Sequence, residues 1–342
     1  MIEIAAAPTT LTFDPALGQL VTFTVTDGAT ITPLHTAPWV GTGAPMPPGA
    51  APHLATLGGD FFCAPFGGHE GASPLHGFPP NSPWTVVAQT PNTLTARLDR
   101  PVFGATLTKT LALCDNHPFV YQTHTFAGGE GAIAVANHAN VALPRGGLIR
   151  VSPKARWQTP QHPQESDPAR GRSALTYPAT TQNPAVFPGM SGPVDLTRYP
   201  WAPRHEDFVI AIEAGDGLGW TAVTRAEGNL FLSLRNAAML PMTMLWHSNG
   251  GRDYAPWSSR HYGCLGVEEG VAGALLPPGD AMAGAALTLG GTVSVRHVIG
   301  ALPWPADEPV AEVTTTADTL HVTGANGHQC ARPFNGAFFA TP

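Results

Sequence analysis

Three stretches of the 342-residue sequence gather side chains able to move protons or hold a polar ligand. The densest is 245–270, LWHSNGGRDYAPWSSRHYGCLGVEEG. It carries five charged residues, two His and two Trp in a chain only 12% charged. An apolar run ending at Trp246 leads into it, and a second, Cys264 to Val267, ends on the adjacent carboxylates Glu268 and Glu269. Polar and aromatic groups held between two strand-like runs suit a ligand site on a loop braced by a rigid scaffold. A carboxylate partly buried at Glu268 would have its pKa raised by desolvation and could serve as a base. The quieter reading makes Arg252 and Arg260 partners of Asp253 and the two glutamates in a structural network.

The second stretch, 67–84, reads GGHEGASPLHGFPPNSPW and offers His69, Glu70, His76, Asn81 and Trp84 on an irregular Gly- and Pro-rich backbone. It is not a zinc-protease HExxH, which needs two His one helical turn apart, because Pro74 falls between these. Metal-ligand spacing is absent, and no metal is expected. The third stretch, 136–144, reads ANHANVALP. It sets Asn137 and His138 at the close of a strand-like run over 131–137, a place for reacting groups or for a histidine that caps backbone. A GxSxG elbow, a P-loop and a GxGxxG are all missing, so nucleophilic catalysis through Ser or Cys is disfavoured.

The elements that position these residues read as strands. Val21, Phe23 and Val25 alternate with threonines, and Asp27-Gly28 follows as a turn. Similar runs recur at 84–88, 93–98, 104–113, 118–126 and 131–137. A second series covers 147–151, 207–213, 219–225, 230–235, 242–247, 263–268, 285–289, 292–299 and 318–323. The segments 36–83 and 152–205 lack periodicity. The latter holds Trp157, Tyr177, Phe187, Tyr199 and Trp201 as anchors, which suits an excursion over the surface and not a linker. No helical period lasts three turns, and nothing after Gly324 shows a pattern. Gly (38) and Pro (36) exceed a fifth of the chain, too much for many helices, while 43% hydrophobic content is too high for disorder. Strands without βαβ alternation predict an all-β chain, a large antiparallel sandwich with few short helices in one domain over 1–342.

Net charge is −7 without basic blocks, which argues against nucleic acid. Cys63, Cys114, Cys264 and Cys330 lie far apart with no CxxC pair, so structural zinc through cysteine is not expected. The first residues lack a basic segment and a continuous apolar core, and no stretch reads as a membrane span. The expectation is a cytoplasmic protein with no membrane or nucleic-acid partner, present as monomer or homodimer.

SPLHGF…W (73–84), NHANVALP (137–144) and YGCLGVEEG (262–270) together resemble, in order and spacing, three landmarks of the aldose 1-epimerase or galactose mutarotase-like superfamily. The likeness spans most of the chain. It implies an antiparallel β-supersandwich with a sugar in an open cleft on one sheet, and a reaction free of cofactors. At matching positions it implies Glu268 as general base, His138 as general acid, and His76 in contact with the sugar, with Asn81 and Trp84 nearby and Asn137 beside the acid. The family's D-x-x-F aspartate corresponds to His205 here, a departure. The stretch GGRDYAPWSSRH also departs, so Trp246, Arg252, Asp253, Trp257 and Arg260 are expected to set specificity by stacking on and hydrogen-bonding a small-molecule carbohydrate. If both arginines face the cleft, an anionic sugar becomes plausible. Alternatives are a sugar-binding protein without turnover, or an isomerase or lyase acting on an acidic sugar or sugar phosphate.

Overall fold

Alternation in the sequence becomes alternation in burial. In the strand Ala105–Ala112, Ala105, Leu107, Lys109 and Leu111 are buried while the residues between them are half-buried or exposed, as a strand with one wet face requires. The computed structural model describes residues 1–67 and 73–340. His69 and Glu70 lie outside the described residues.

Two large sheets form, and every pairing between named strands is antiparallel. One is 11-stranded. Its central order runs Gln19–Asp27, Asp60–Cys63, Val135–Ala142, Cys264–Val271, Met242–Asn249, His205–Glu213 and Lys154–Gln158. The other is 9-stranded and is centred on Leu218–Arg225, Asn229–Asn236, Thr292–Pro303 and Phe119–Gly128. Their inner faces interdigitate in one apolar cluster that includes Phe13, Phe62, Phe126, Val267 and Ile299. A third sheet of Val310–Thr315, Thr319–Gly324 and Gln329–Pro333 packs on the far side, where Phe334 meets Phe119 and Tyr121. The only helical pieces among the described residues are four short 3-10 turns. The all-β expectation holds.

The strands at the centre of the first sheet do not alternate, because both of their faces are covered. Met242–Asn249 and Cys264–Val271 are buried at every residue. The second sheet covers one face. Segments from 36–67 and 250–286 cover the other, with Trp39, Leu57, Phe66, Trp257 and Leu276 packed against Phe61, Phe208, Met244 and Trp246. This explains the main error of the periodicity reading. The strand expected to end at residue 137 continues to Ala142, so Asn137 and His138 sit in its middle. The sequence reading missed the strands Ile2–Ala6, Thr9–Asp14, Asp60–Cys63 and Gln329–Pro333, of which Thr9–Asp14 alternates in burial and Asp60–Cys63 is buried throughout. The excursion 152–205 is pinned as anticipated by buried Trp157, Phe187 and Tyr199. It also adds the strand Lys154–Gln158 and, beyond it, the edge strand Thr180–Thr181.

A polar network crosses the space between the sheets. Arg235, fully buried, forms ion pairs with Glu269 and Glu213, and Lys154 joins Glu213. Thr221 and Thr243 donate hydroxyl hydrogen bonds to Glu269 at 2.6 and 3.0 Å. Buried charges are tolerated when they are paired and hydrogen-bonded in this way.

Candidate active site

The pleat of the central strands sorts side chains between the network and a cleft. Successive residues on a strand point to opposite faces. Glu269 reaches Arg235 between the sheets, so its neighbour Glu268 faces the outer side. Phe62 lies in the inter-sheet cluster, so Phe61 faces outward. A cleft of about 650 Å³ opens on that outer face, lined by His53, His76, His138, Trp246, Arg252 and Glu268 among others.

At the floor of the cleft, Glu268 and His138 stand opposite each other in register on neighbouring strands. The His138 Nε2 lies 3.1 Å from Glu268 Oε1, and both side chains are nearly fully buried. Glu268 Oε2, His138 Nδ1 and His76 Nδ1 have no hydrogen-bond partner in the described structure. Burial raises the Glu268 carboxyl well above its usual range and lowers the His138 imidazole to about 3. Both shifts favour uncharged forms, as desolvation does. The pair therefore holds one proton between a carboxyl and a neutral imidazole. Phe61 stacks on His138 with ring centroids 4.4 Å apart, which fixes the imidazole plane. Gly266, two residues before Glu268 on the same face, leaves the carboxylate its space. A Cβ there would sit 2.9 Å from Glu268 Oε1 and 3.1 Å from Trp246.

His76 reaches the cleft from a tight turn whose backbone it bends at φ 67°. Few non-glycine residues adopt that region, and they do so where surrounding contacts enforce it. Asn81 provides the enforcement. Its amide donates to the carbonyls of Leu75 at 2.8 Å and Gly77 at 2.6 Å. Its oxygen accepts from the backbone N–H of His53 at 3.0 Å and sits 2.9 Å from the His53 Nδ1. Asn81 thus positions two cleft histidines without lining the cleft itself.

A second group of residues forms the side wall. Arg252 lies over the Trp257 ring at 4.4 Å and pairs with Glu206 at 3.0 Å. Glu206 also accepts from the indole N–H of Trp246 and from the Ser248 hydroxyl. Burial raises the Glu206 carboxyl, and Arg252 opposes that rise. Edge-to-face indoles beside a paired Arg and Glu present apolar faces and hydrogen-bonding edges together, which is the requirement of a ring with an apolar face and a hydroxyl rim.

Of the residues expected from sequence, the structure brings His76, His138, Trp246, Arg252, Trp257 and Glu268 to one cleft. It takes five others away from it. Trp84 packs in the inter-sheet core beneath Gly18, and its indole donates to the Pro79 carbonyl at 2.8 Å. Asn137 is buried on the opposite pleat from His138. His205 is fully buried, with Nδ1 2.8 Å from Asp207, and Glu206 beside it is the residue that reaches the cleft wall. Asp253 bonds to Arg172 and Arg204 near the surface. Arg260 donates to the Pro256 carbonyl at 3.2 Å. The alternative of an Arg252–Asp253 network is likewise replaced by Arg252–Glu206. Sequence reasoning missed Glu206, Phe61 and His53. Glu206 was within reach, since Phe208 two residues on shares its face. His53, on a short 3-10 turn, carried no signal.

No family model matches the chain, and no curated protein matches it. Solved structures do. The galactose mutarotase related enzyme from Lactobacillus acidophilus superposes with a TM-score of 0.58 at 11% identity, covering 88% of this chain and 97% of that one. A galactose mutarotase-like protein from Lactobacillus casei superposes with a TM-score of 0.52 at 13% identity, covering 88% of this chain and 100% of its own. At these identities the likeness establishes the fold, which is the galactose mutarotase-like β-supersandwich anticipated from the three sequence landmarks.

Proposed function

We propose that the cleft binds a neutral aldose and interconverts its α and β anomers, with Glu268 and His138 as the proton-transfer pair. The observation that carries this reading is the contact at the cleft floor, a buried carboxyl and imidazole that share one proton. Mutarotation needs one proton removed from the anomeric O1 and one delivered to the ring O5. Hydroxyls of an entering sugar hydrogen-bond the carboxyl and favour its charged form, which shifts the shared proton to His138. Glu268 then takes the O1 proton as His138 Nε2 gives its own to O5. The C1–O5 bond breaks, the open-chain aldehyde forms, and rotation about C1–C2 precedes closure by the reverse transfers. The proton count of the pair is the same before and after.

Specificity follows from the side wall. Trp246 and Trp257 offer stacking faces, and Arg252 offers a hydrogen-bonding edge. Glu206 offsets the charge of Arg252, and Arg260 is absent from the cleft lining. That balance suits hydroxyls better than a phosphate or carboxylate.

A second reading, sugar binding without turnover, rests on the same 3.1 Å contact, because the pair must part before either group meets an anomeric centre. NMR exchange between anomers across a panel of aldoses separates the two. The enzyme reading expects accelerated exchange that falls by about 10²–10⁴ in Glu268→Gln and in His138→Asn, with sugar binding kept in both variants. Saturable binding with no exchange by the native protein sinks it in favour of the second.

A further inference from the structure

Behind the Trp246 wall, on the same face of the sheet, His35, His261 and Cys264 each bring one ligand atom within 4.8 Å of the other two. We propose that these three side chains form a binding site for a thiophilic divalent cation of the zinc class, distinct from the proton-transfer pair and independent of the function assigned to it. The two imidazoles face each other Nε2 to Nε2 at 3.1 Å. That is close to the separation of two ligand nitrogens on a tetrahedral ion with bonds of about 2.0–2.1 Å.

The surrounding hydrogen bonds set the tautomer that a metal needs. The Ser248 hydroxyl places its proton on Glu206 Oε2 at 2.8 Å and stands 2.7 Å from His261 Nδ1. With that proton committed, His261 Nδ1 must be the donor to Ser248. Its Nε2 then carries a lone pair directed at the cluster. A metal-bound histidine usually has its other nitrogen held in this way by a hydrogen-bonded partner. Cys264 completes a soft His₂Cys set of the kind that prefers zinc-class ions over magnesium or calcium. A bond of about 2.3 Å from its sulfur to the ion completes the set. His35 is half-buried and Cys264 fully buried, so an ion enters from the His35 side. The fourth position is left to solvent.

Sequence spacing hides this set, because His35 lies 226 positions from His261. Sheet pairing joins them. The strand Val135–Ala142 lies beside Cys264–Val271, and His35 hydrogen-bonds through its backbone N–H to the Asn140 carbonyl at 2.7 Å. An ion here ties the N-terminal segment and the 250–263 loop to the head of the strand that bears Glu268.

The test is a cobalt(II) titration of the full-length protein after stripping with a chelator and removal of any affinity tag. The expected result is one equivalent bound, with a near-ultraviolet thiolate-to-cobalt charge-transfer band that zinc abolishes by displacement. Cys264→Ser loses the band. His35→Gln weakens zinc by at least ~100-fold, the upper end of the effect of losing an outer partner. Cys330→Ser changes neither. Circular dichroism checks that each variant is folded, and the half-buried His35 supplies the variant least disruptive to folding. Absence of the band in the native protein, or an equal band in folded Cys264→Ser, overturns the proposal. Both readouts are independent of anomer exchange, so this site and the proposed activity can fail separately.

Discussion

Protonation at the floor of the cleft is set first by burial, with His53 adding to the lowering of His138, and this fixes how activity responds to pH. The working form of the Glu268–His138 pair carries one proton. Adding a second requires the imidazole, lowered to about 3, to accept it. Removing the last requires the carboxyl to ionise at its raised value. The profile of kcat/KM against pH is therefore flat on the acid side down to the point where the fold fails, and it declines on the alkaline side. An acid limb near pH 6.5, the ordinary histidine value, would show that His138 is not held neutral. Gly266 gives a second check at this scale. Ala at that position places a methyl 2.9 Å from the Glu268 carboxylate, closer than van der Waals contact, so the carboxylate must shift, and misplacing a reacting group is costly to catalysis. Gly266→Ala is expected to lower kcat by ~10-fold or more with KM little changed, measured by the same anomer exchange.

At the scale of strands, the sequence revealed the fold well where one face of a strand is wet and poorly where both are dry. Ala105–Ala112 and Thr93–Leu98 show their period in the residues themselves. Val135–Ala142 does not, because Asn137, His138 and Asn140 are polar residues buried on both faces. The partners of His138 and Asn140 lie far away in sequence, and no local pattern announces them. The same limit governed the site. Glu268, His138 and His76 were legible through a family likeness. Trp84 and Asn137 were placed in the cleft by proximity in sequence to those residues, and the pleat or the core claimed them instead. The Arg235–Glu269 pair tests the strand arrangement itself. Removing the arginine alone leaves Glu269 buried and uncompensated, so Arg235→Met is expected to destabilise by about 3–5 kcal/mol. Arg235→Met combined with Glu269→Leu recovers much of that loss. Urea unfolding of the two single variants and the double variant measures the coupling. Strict additivity of the single effects would mean that the pair is not energetically joined.

Across the whole molecule, buried histidines make folding sensitive to acid. His76, His124, His138, His247 and His297 are all held below their usual value by burial. Each binds its proton less readily folded than unfolded. Each therefore contributes stability that is present above about pH 6.5 and is lost as pH falls through the folded value, at up to about 1.4 kcal/mol per pH unit. Asp60, raised to about 6, and the raised Glu206 and Glu268 act in the opposite sense. They bind protons more readily folded, and so they offset part of the loss until the unfolded chain also protonates its carboxyls near pH 4. Calorimetry is expected to show Tm falling gently from neutral pH toward 4 and steeply below it. A Tm that also stays constant below pH 4, where the carboxyls no longer offset the loss, would mean that the histidines are not held neutral. No helix among the described residues is long and apolar enough to cross a membrane.

Glu268 and Glu269 are chemically the same residue, and only parity separates them. Even positions of the strand Cys264–Val271 share the face of Glu268, and odd positions share the face of Glu269. One residue inserted upstream within the strand would turn every following side chain to the other face, moving Glu268 into the slot opposite Asn137 and bringing Val267 opposite His138, with composition almost unchanged. Two inserted residues would restore the facing of both glutamates but carry each two positions past its partner. The assignment of the reacting carboxyl is thus a counting property of the backbone ladder, held by every hydrogen bond between this strand and its two neighbours.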